Sequence, residues 1–284
     1  MSKKIETGRL KTVENKKKVL FFIYQMGAGG AARTLLNIMN NLDRDKFIPI
    51  LVTLNYKGNY EKHLKADVEF YKLKEKRLRQ AIFPLAKFIR RRKVDIVFST
   101  IPNYNTIAIL SRIFSFSSAK SIVREADNLG GSFLTDLKLR FYGIMYRFSS
   151  QIISLSEGVK ENLVEKYKVK PDAIKVIYNP VDIENIEQQM KKTSMPEEHK
   201  QLFAGDEPVV ITAGRLVKQK DQQTLIRAFA KVNARINCKL VILGEGELRA
   251  ELKALANNLQ IGDKVHFLGF QQNPYMYFKE ADLF

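Results

Sequence analysis

The stretch that decides the fold is PVVITAGRLVKQKDQQTLIRAF, residues 208–229. Val209, Val210 and Ile211 form a short β-branched run of the kind that makes a buried strand. Gly214 ends the run, and Arg215 and Lys220 fall in the turn. Asp221 stands where a helix N-cap belongs, and Leu225, Ile226, Phe229 and Val232 recur at helical spacing. Strand, cationic loop and helix in that order make a phosphate-binding corner. A guanidinium binds two oxygens at once and an ammonium acts as a point charge, so the pair beside helix-start amides suits a diphosphate.

The same alternation extends to both sides. Downstream, apolar runs predict strands over 238–243 and 265–268, with helices marked by Leu248, Leu252, Leu255 and Leu259 and over 275–281; a fourth strand begins at 282–284. Upstream, strands are expected over 19–24, 48–54, 68–73, 96–98, 120–123, 152–155 and 175–178. Helices are expected from 31 and over 80–92, 105–114, 133–148 and 159–167. Continuous apolar strands alternating with helices imply an α/β fold whose parallel sheet is covered on both faces. Residues 184–206 lose the alternation and become polar, which reads as a linker. The expected organisation is a basic tail (1–18), a Rossmann-like domain (19–183), the linker (184–206) and a second Rossmann-like domain (207–284). The second is expected to be incomplete, because a sheet that stops as a strand begins leaves inner strands without neighbours.

The 284 residues suffice for two cores. Net charge is +18, of which the tail contributes +5, so the folded body carries most of the excess. An anionic partner follows: nucleic acid, an acidic membrane face or a phosphorylated ligand. No nucleic-acid recognition module is visible, and the basic residues are spread over several elements. One cysteine, Cys238, rules out an internal disulfide framework and a cysteine zinc cluster, and His63, His199 and His266 lack ligand-like spacing. No structural metal is expected. No run reaches the roughly 18–20 apolar residues of a spanning helix. Three lysines before VLFFIY imitate a secretory signal, but the run is short and continues into the α/β pattern.

Gly27-x-Gly29-x-x-Ala32 after the first strand matches the dinucleotide fingerprint, yet the second strand ends in LVTLN without the acidic residue a nicotinamide site wants. Close approach of a ligand to the glycine backbone, or a tight turn, remains. Asp43-Arg44-Asp45 imitates the metal-binding carboxylate pair of some sugar transferases, but falls at a helix exit, opposite the strand ends where such sites form, and reads as a solvated turn. Gly244-Glu245-Gly246-Glu247 is either a ligand loop, with Glu245 on a ribose hydroxyl, or a simple turn with helix-start carboxylates. Cations from Lys76 to Lys93 surround Ile82, Phe83, Leu85, Phe88 and Ile89, and 133–148 repeats the theme with Lys138, Arg140 and Arg147. Each is an amphipathic helix either for an anionic lipid surface or for the core with a solvated basic face.

AGRLVKQKDQQTLIRAF, LVILGEGELRAELKALANNL and VHFLGF, supported by IISLSEGVKENL and VIYNPVD, make most of residues 17–284 resemble family 4 glycosyltransferases of the GT-B fold. These bacterial enzymes extend surface polysaccharides and lipid-linked glycans. The resemblance implies two Rossmann-like domains facing across a cleft. It also implies transfer of a hexose, with retention and without metal or cofactor, from a nucleotide-diphosphate sugar, expected to be a UDP-sugar. The acceptor would be a glycan or a lipid-linked acceptor, met by a cytoplasmic enzyme on the anionic inner face of the membrane. Arg215 and Lys220, following Gly214, would bind the donor diphosphate. Gly29 and Gly30 would face that diphosphate and the acceptor. Gly244 to Gly246 would line the nucleotide side, and Gly269 and Phe270 would approach the base. Two departures stand out: Ala32 replaces the usual glutamate, and the family's Glu-x7-Glu motif follows the point where this sequence ends. A truncated fragment that binds nucleotide sugar without turnover is the alternative.

Overall fold

The structure, a computed structural model, describes residues 16–27, 29–192 and 195–284; most of the expected basic tail lies outside them. The chain forms two compact units, the first ending at Val181 and the second beginning at Asp182.

The first unit runs β1 (Lys17–Phe22), α1 (Gly30–Asn40), β2 (Phe47–Thr53), β3 (Glu69–Lys72), α2 (Ile82–Arg92), β4 (Ile96–Thr100) and α3 (Pro102–Phe114). It continues through β5 (Lys120–Glu125), α4 (Phe133–Tyr146), β6 (Gln151–Ser154), α5 (Glu157–Glu165) and β7 (Ile174–Val176). The strands pair in parallel in the order β3-β2-β1-β4-β5-β6-β7. Leu20 and Phe22 pack in one layer with Leu85, Ile89 and Ile107 of α2 and α3. Val19 and Phe21 face the other way, against Leu35 and Met39 of α1. Burial on both faces is why β1 reads as an unbroken apolar run. Strand order reverses between β1 and β4, the place where open α/β sheets bind ligands beyond the strand ends. Further along, α4 buries Leu139, Tyr142 and Tyr146 against Leu163 of α5. A Cβ at Gly143 would stand 1.8 Å from the Tyr167 carbonyl oxygen, so only glycine lets this helix sit there.

The second unit comprises α6 (Ile183–Lys192), α7 (Glu197–Phe203), β8 (Val209–Ala213), α8 (Gln222–Asn233), β9 (Lys239–Leu243), α9 (Arg249–Asn258), β10 (Val265–Gly269) and α10 (Tyr275–Glu280). Its parallel sheet has the order β10-β9-β8. Residues 282–284 begin to pair beside β8, with Val210 bridged to Leu283 and the Ile211 amide donating to the Leu283 carbonyl at 2.8 Å. One core layer lies between the sheet and α8 and α9, the other around Tyr277 of α10.

The segment 184–206, expected as a linker, groups with the second unit and forms α6 and α7 over most of its length. Asn273 Nδ2 donates to the Gln189 carbonyl at 2.8 Å, and His199 Nδ1 lies 2.8 Å from the Tyr277 hydroxyl. A few anchors such as Met195 and Phe203 dock these helices, too few to leave a periodic apolar signal.

Candidate functional site

In the second unit the loops after all three strands are laced together at the carboxyl edge of the sheet. The Gly214 amide donates to the Leu243 carbonyl (2.9 Å), Leu216 to Glu245 (3.0 Å), Gly244 to Gly269 (2.7 Å) and Leu248 to Leu216 (3.1 Å). Glycine is required for this contact. A Cβ on Gly244 would lie 1.9 Å from the Gly214 oxygen, and one on Gly246 would lie 2.3 Å from the Leu216 oxygen. Gly244 and Gly269 also hold φ of +141° and +74°, a region side chains disfavour. The loop 244–246 therefore buttresses the cationic loop, a role outside the two readings its sequence allows.

Arg215 and Lys220 are both exposed, and among the described residues neither side chain has a recorded ion pair or hydrogen bond. The Lys220 stem runs past Gly214, its Cγ 3.7 Å from where a Cβ would be. Buried Gln222 donates to the Arg215 carbonyl at 3.0 Å and fixes the loop backbone. Asp221 is not the side-chain cap its sequence position predicts. The one-turn helix at 218–220 leads into α8 through a left-handed residue, φ 48° and ψ 42°, so the Asp221 carboxylate makes no cap bond. Glu245 pairs with Arg249 at 2.6 Å, an exposed contact of the kind that contributes little and opens readily. Phe270 stands exposed directly after Gly269.

In the first unit, Gly29 is the N-cap position of α1 and Gly30 its first residue. A Cβ on either would meet nothing within 4 Å. Neither conformation nor packing demands glycine here, which leaves open space beside both. The first turn of α1 has no acidic residue and no side-chain cap. Ala32, where the family carries glutamate, is buried. Ala28 lies outside the described residues.

Sequence reasoning missed a buried polar network at the ends of β4 and β5. The Asn105 amide donates to Glu125 Oε1 at 2.7 Å, the Tyr146 hydroxyl donates to the same oxygen, and Ser99 donates to Asn105 Oδ1 at 2.7 Å. Arg124 donates to Thr100 Oγ1 at 3.1 Å and to Asn179. Burial raises Glu125 to about 8 and outweighs the lowering by its Tyr146 and Asn105 hydrogen bonds; Asp127 adds to the rise and Arg124 opposes it. Ile101, between β4 and α3, holds φ 79°, a strained value for a β-branched residue. The available signal was a charged Arg124-Glu125 pair closing an apolar strand.

Asp43 pairs with Lys46 at 3.0 Å in the exposed turn between α1 and β2. Among the described residues no group of three or more His, Cys, Asp or Glu is placed to hold a metal ion, and no helix is long and apolar enough to cross a membrane. The two basic helices differ. Helix α2 buries Leu85, Ala86 and Ile89 and turns Lys87, Arg90 and Arg91 outward, while Arg92 pairs with Glu69 and Phe83 is exposed. Helix α4 instead exposes Phe133, Leu134, Leu137, Phe141 and Ile144.

Two Rossmann-like units, the second carrying a cationic strand–loop–helix corner, define the GT-B architecture. The Anabaena protein HepE in complex with UDP-glucose shares it, with a TM-score of 0.76 at 20% identity over 93% of this chain and 72% of that one. Residues 28–185 match the sequence model described as Glycosyltransferase Family 4, and 194–284 that of Glycosyl transferases group 1. The chain belongs to glycosyltransferase family 4. It is 29% identical, over 94% of its length and 73% of the relative's, to the Campylobacter jejuni N-acetylgalactosamine-N,N'-diacetylbacillosaminyl-diphospho-undecaprenol 4-alpha-N-acetylgalactosaminyltransferase. An uncharacterised glycosyltransferase of Methanocaldococcus jannaschii is 28% identical over 96% of this chain and 69% of its own.

Proposed function

We propose that this glycosyltransferase moves a hexose from a UDP-sugar to a glycan or lipid-linked glycan, with retention of configuration and without a metal ion or cofactor. The observation that carries the reading is the pair Arg215 and Lys220, exposed and, among the described residues, without a neutralising carboxylate, on a loop held by two neighbouring loops. Departure of UDP builds negative charge on its diphosphate oxygens. Fixed cations stabilise that charge where it develops, the part a metal plays in other transferases. Gly244 to Gly246 brace the loop, and Phe270 offers an aromatic face to the base. Gly29 and Gly30 give substrate oxygens access to the start of α1.

HepE supports the donor through the UDP-glucose in its crystal, and the Campylobacter relative supports a lipid-linked acceptor through the diphospho-undecaprenol in its name. Helix α4 supports a place on the inner membrane face. Its outer side is apolar, Lys138, Arg140 and Arg147 flank it, and a helix apolar on both sides needs a second covering surface. Calorimetric titration of the chain with UDP-glucose in the presence of EDTA tests the donor reading. Saturable binding is expected, and absence of binding contradicts it.

A further inference from the structure

Phe270 is 51% exposed, yet the residues on both sides of it are anchored. On one side the Gly269 carbonyl accepts from the Gly244 amide at 2.7 Å. On the other, the Gln271 side chain folds back across the corner, and its Nε2 donates to the Leu268 carbonyl at 2.7 Å. Gly269 turns the chain with φ of +74°, and Gln271 closes the turn that presents the ring.

Gln271 is itself held from the interior. Its Oε1 accepts from the Tyr277 hydroxyl at 3.0 Å, and the oxygen of that hydroxyl lies 2.8 Å from His199 Nδ1. A tyrosine hydroxyl has one proton, and Gln271 receives it, so His199 Nδ1 carries a hydrogen and donates. Burial raises the Tyr277 phenol, with Glu198 adding to the rise, so the proton stays in place. The Tyr277 ring is fully buried in the core layer with Met195, Val209 and Val241, and the His199 side chain is 16% exposed.

A second tie runs beside the first. Asn273 Nδ2 donates to the Gln189 carbonyl at 2.8 Å while its Oδ1 accepts from the Tyr275 amide at 3.3 Å. The loop after β10 is therefore gripped at two points, at Gln271 from α7 and at Asn273 from α6. A loop already ordered binds a ligand without the cost of ordering it. Removing the Tyr277 hydroxyl leaves Gln271 Oε1 and His199 Nδ1 short of a partner, and the turn between Leu268 and Gln271 relaxes.

We propose that His199, Tyr277 and Gln271 are positioning residues for the base of the donor nucleotide, acting through Phe270. Helix α7, in the segment that reads as a linker in sequence, thereby works as part of the donor site. The inference rests on the UDP-sugar reading and adds to it residues that act through the loop.

The chain has no tryptophan, so Phe270→Trp places a single indole on this loop. In that background Tyr277→Phe and His199→Leu should lower the residual fluorescence anisotropy of the indole. His199→Asn, which keeps a donor where Nδ1 stands, should restore it. In the chain with its own Phe270, calorimetry should show Tyr277→Phe and His199→Leu each losing about tenfold in UDP affinity, the size of one base–aromatic contact. Affinity for inorganic diphosphate should stay unchanged, because Arg215 and Lys220 are untouched. His199→Leu leaves the buried Tyr277 ring intact, so the test does not depend on the folding of one variant. An indole equally rigid in all variants overturns the proposal. So does a parallel loss of UDP and diphosphate affinity, which marks general loosening of the sheet edge. Absence of UDP binding by the unaltered chain, with the indole loosened in the variants, contradicts the UDP-sugar reading instead.

Discussion

The carbonyl oxygen of Gly214 lies 1.9 Å from the place a Cβ on Gly244 would occupy, so the loops after β8 and β9 meet backbone to backbone. Gly244→Ala must therefore move the loop that carries Arg215. With φ of +141° the substitution also adds strain of about 1–3 kcal/mol. Thermal unfolding should shift down and UDP affinity should fall together. A variant with wild-type melting and affinity would show that the two loops are not coupled.

Glu125 gives a pH dependence of definite sign. Its folded value of about 8 lies above its ordinary 4.5, so the folded state holds the proton better. The stability contributed by this group is fully present below the ordinary value and is lost as pH rises through about 8. Glu125→Gln keeps a neutral group at the same position. Wild-type stability should decline relative to the variant between about pH 5 and 9, by an amount on the order of a few kcal/mol. Denaturant titration at several pH values measures this, and parallel curves would contradict it.

Helix α4 exposes Leu137 and Phe141 at 56% and 52%. Leu137→Ser/Phe141→Ser should change stability by little, because exposed substitutions stay within about 0.5 kcal/mol each. Sedimentation with anionic vesicles at low salt should nevertheless drop sharply. Unchanged sedimentation would leave α4 without a membrane role.

Much of this architecture was legible because it depends on local sequence. The run VLFF in β1 announced burial on both faces, and Gly214, Arg215 and Lys220 announced a cationic corner between strand and helix. Other features depend on pairings across the chain. The roles of Gly244 and Gly246 appear only when their neighbours are the carbonyls of Gly214 and Leu216. Glu125 gains its environment from Asn105 and Tyr146 on separate helices. Asp221 looks like a cap in sequence, but the preceding turn delivers it in a left-handed conformation. The basic segment after β3 looked like part of a surface helix; the sheet places it against the tyrosines that follow β1 and β2.

The donor site is tested most directly by UDP calorimetry on Arg215→Ala beside Arg227→Ala. Arg227 is an exposed cation on α8 and controls for the change in net charge. Arg215→Ala should abolish measurable UDP binding while Arg227→Ala binds like wild type. Unchanged affinity in Arg215→Ala would contradict the assignment of the diphosphate to this loop.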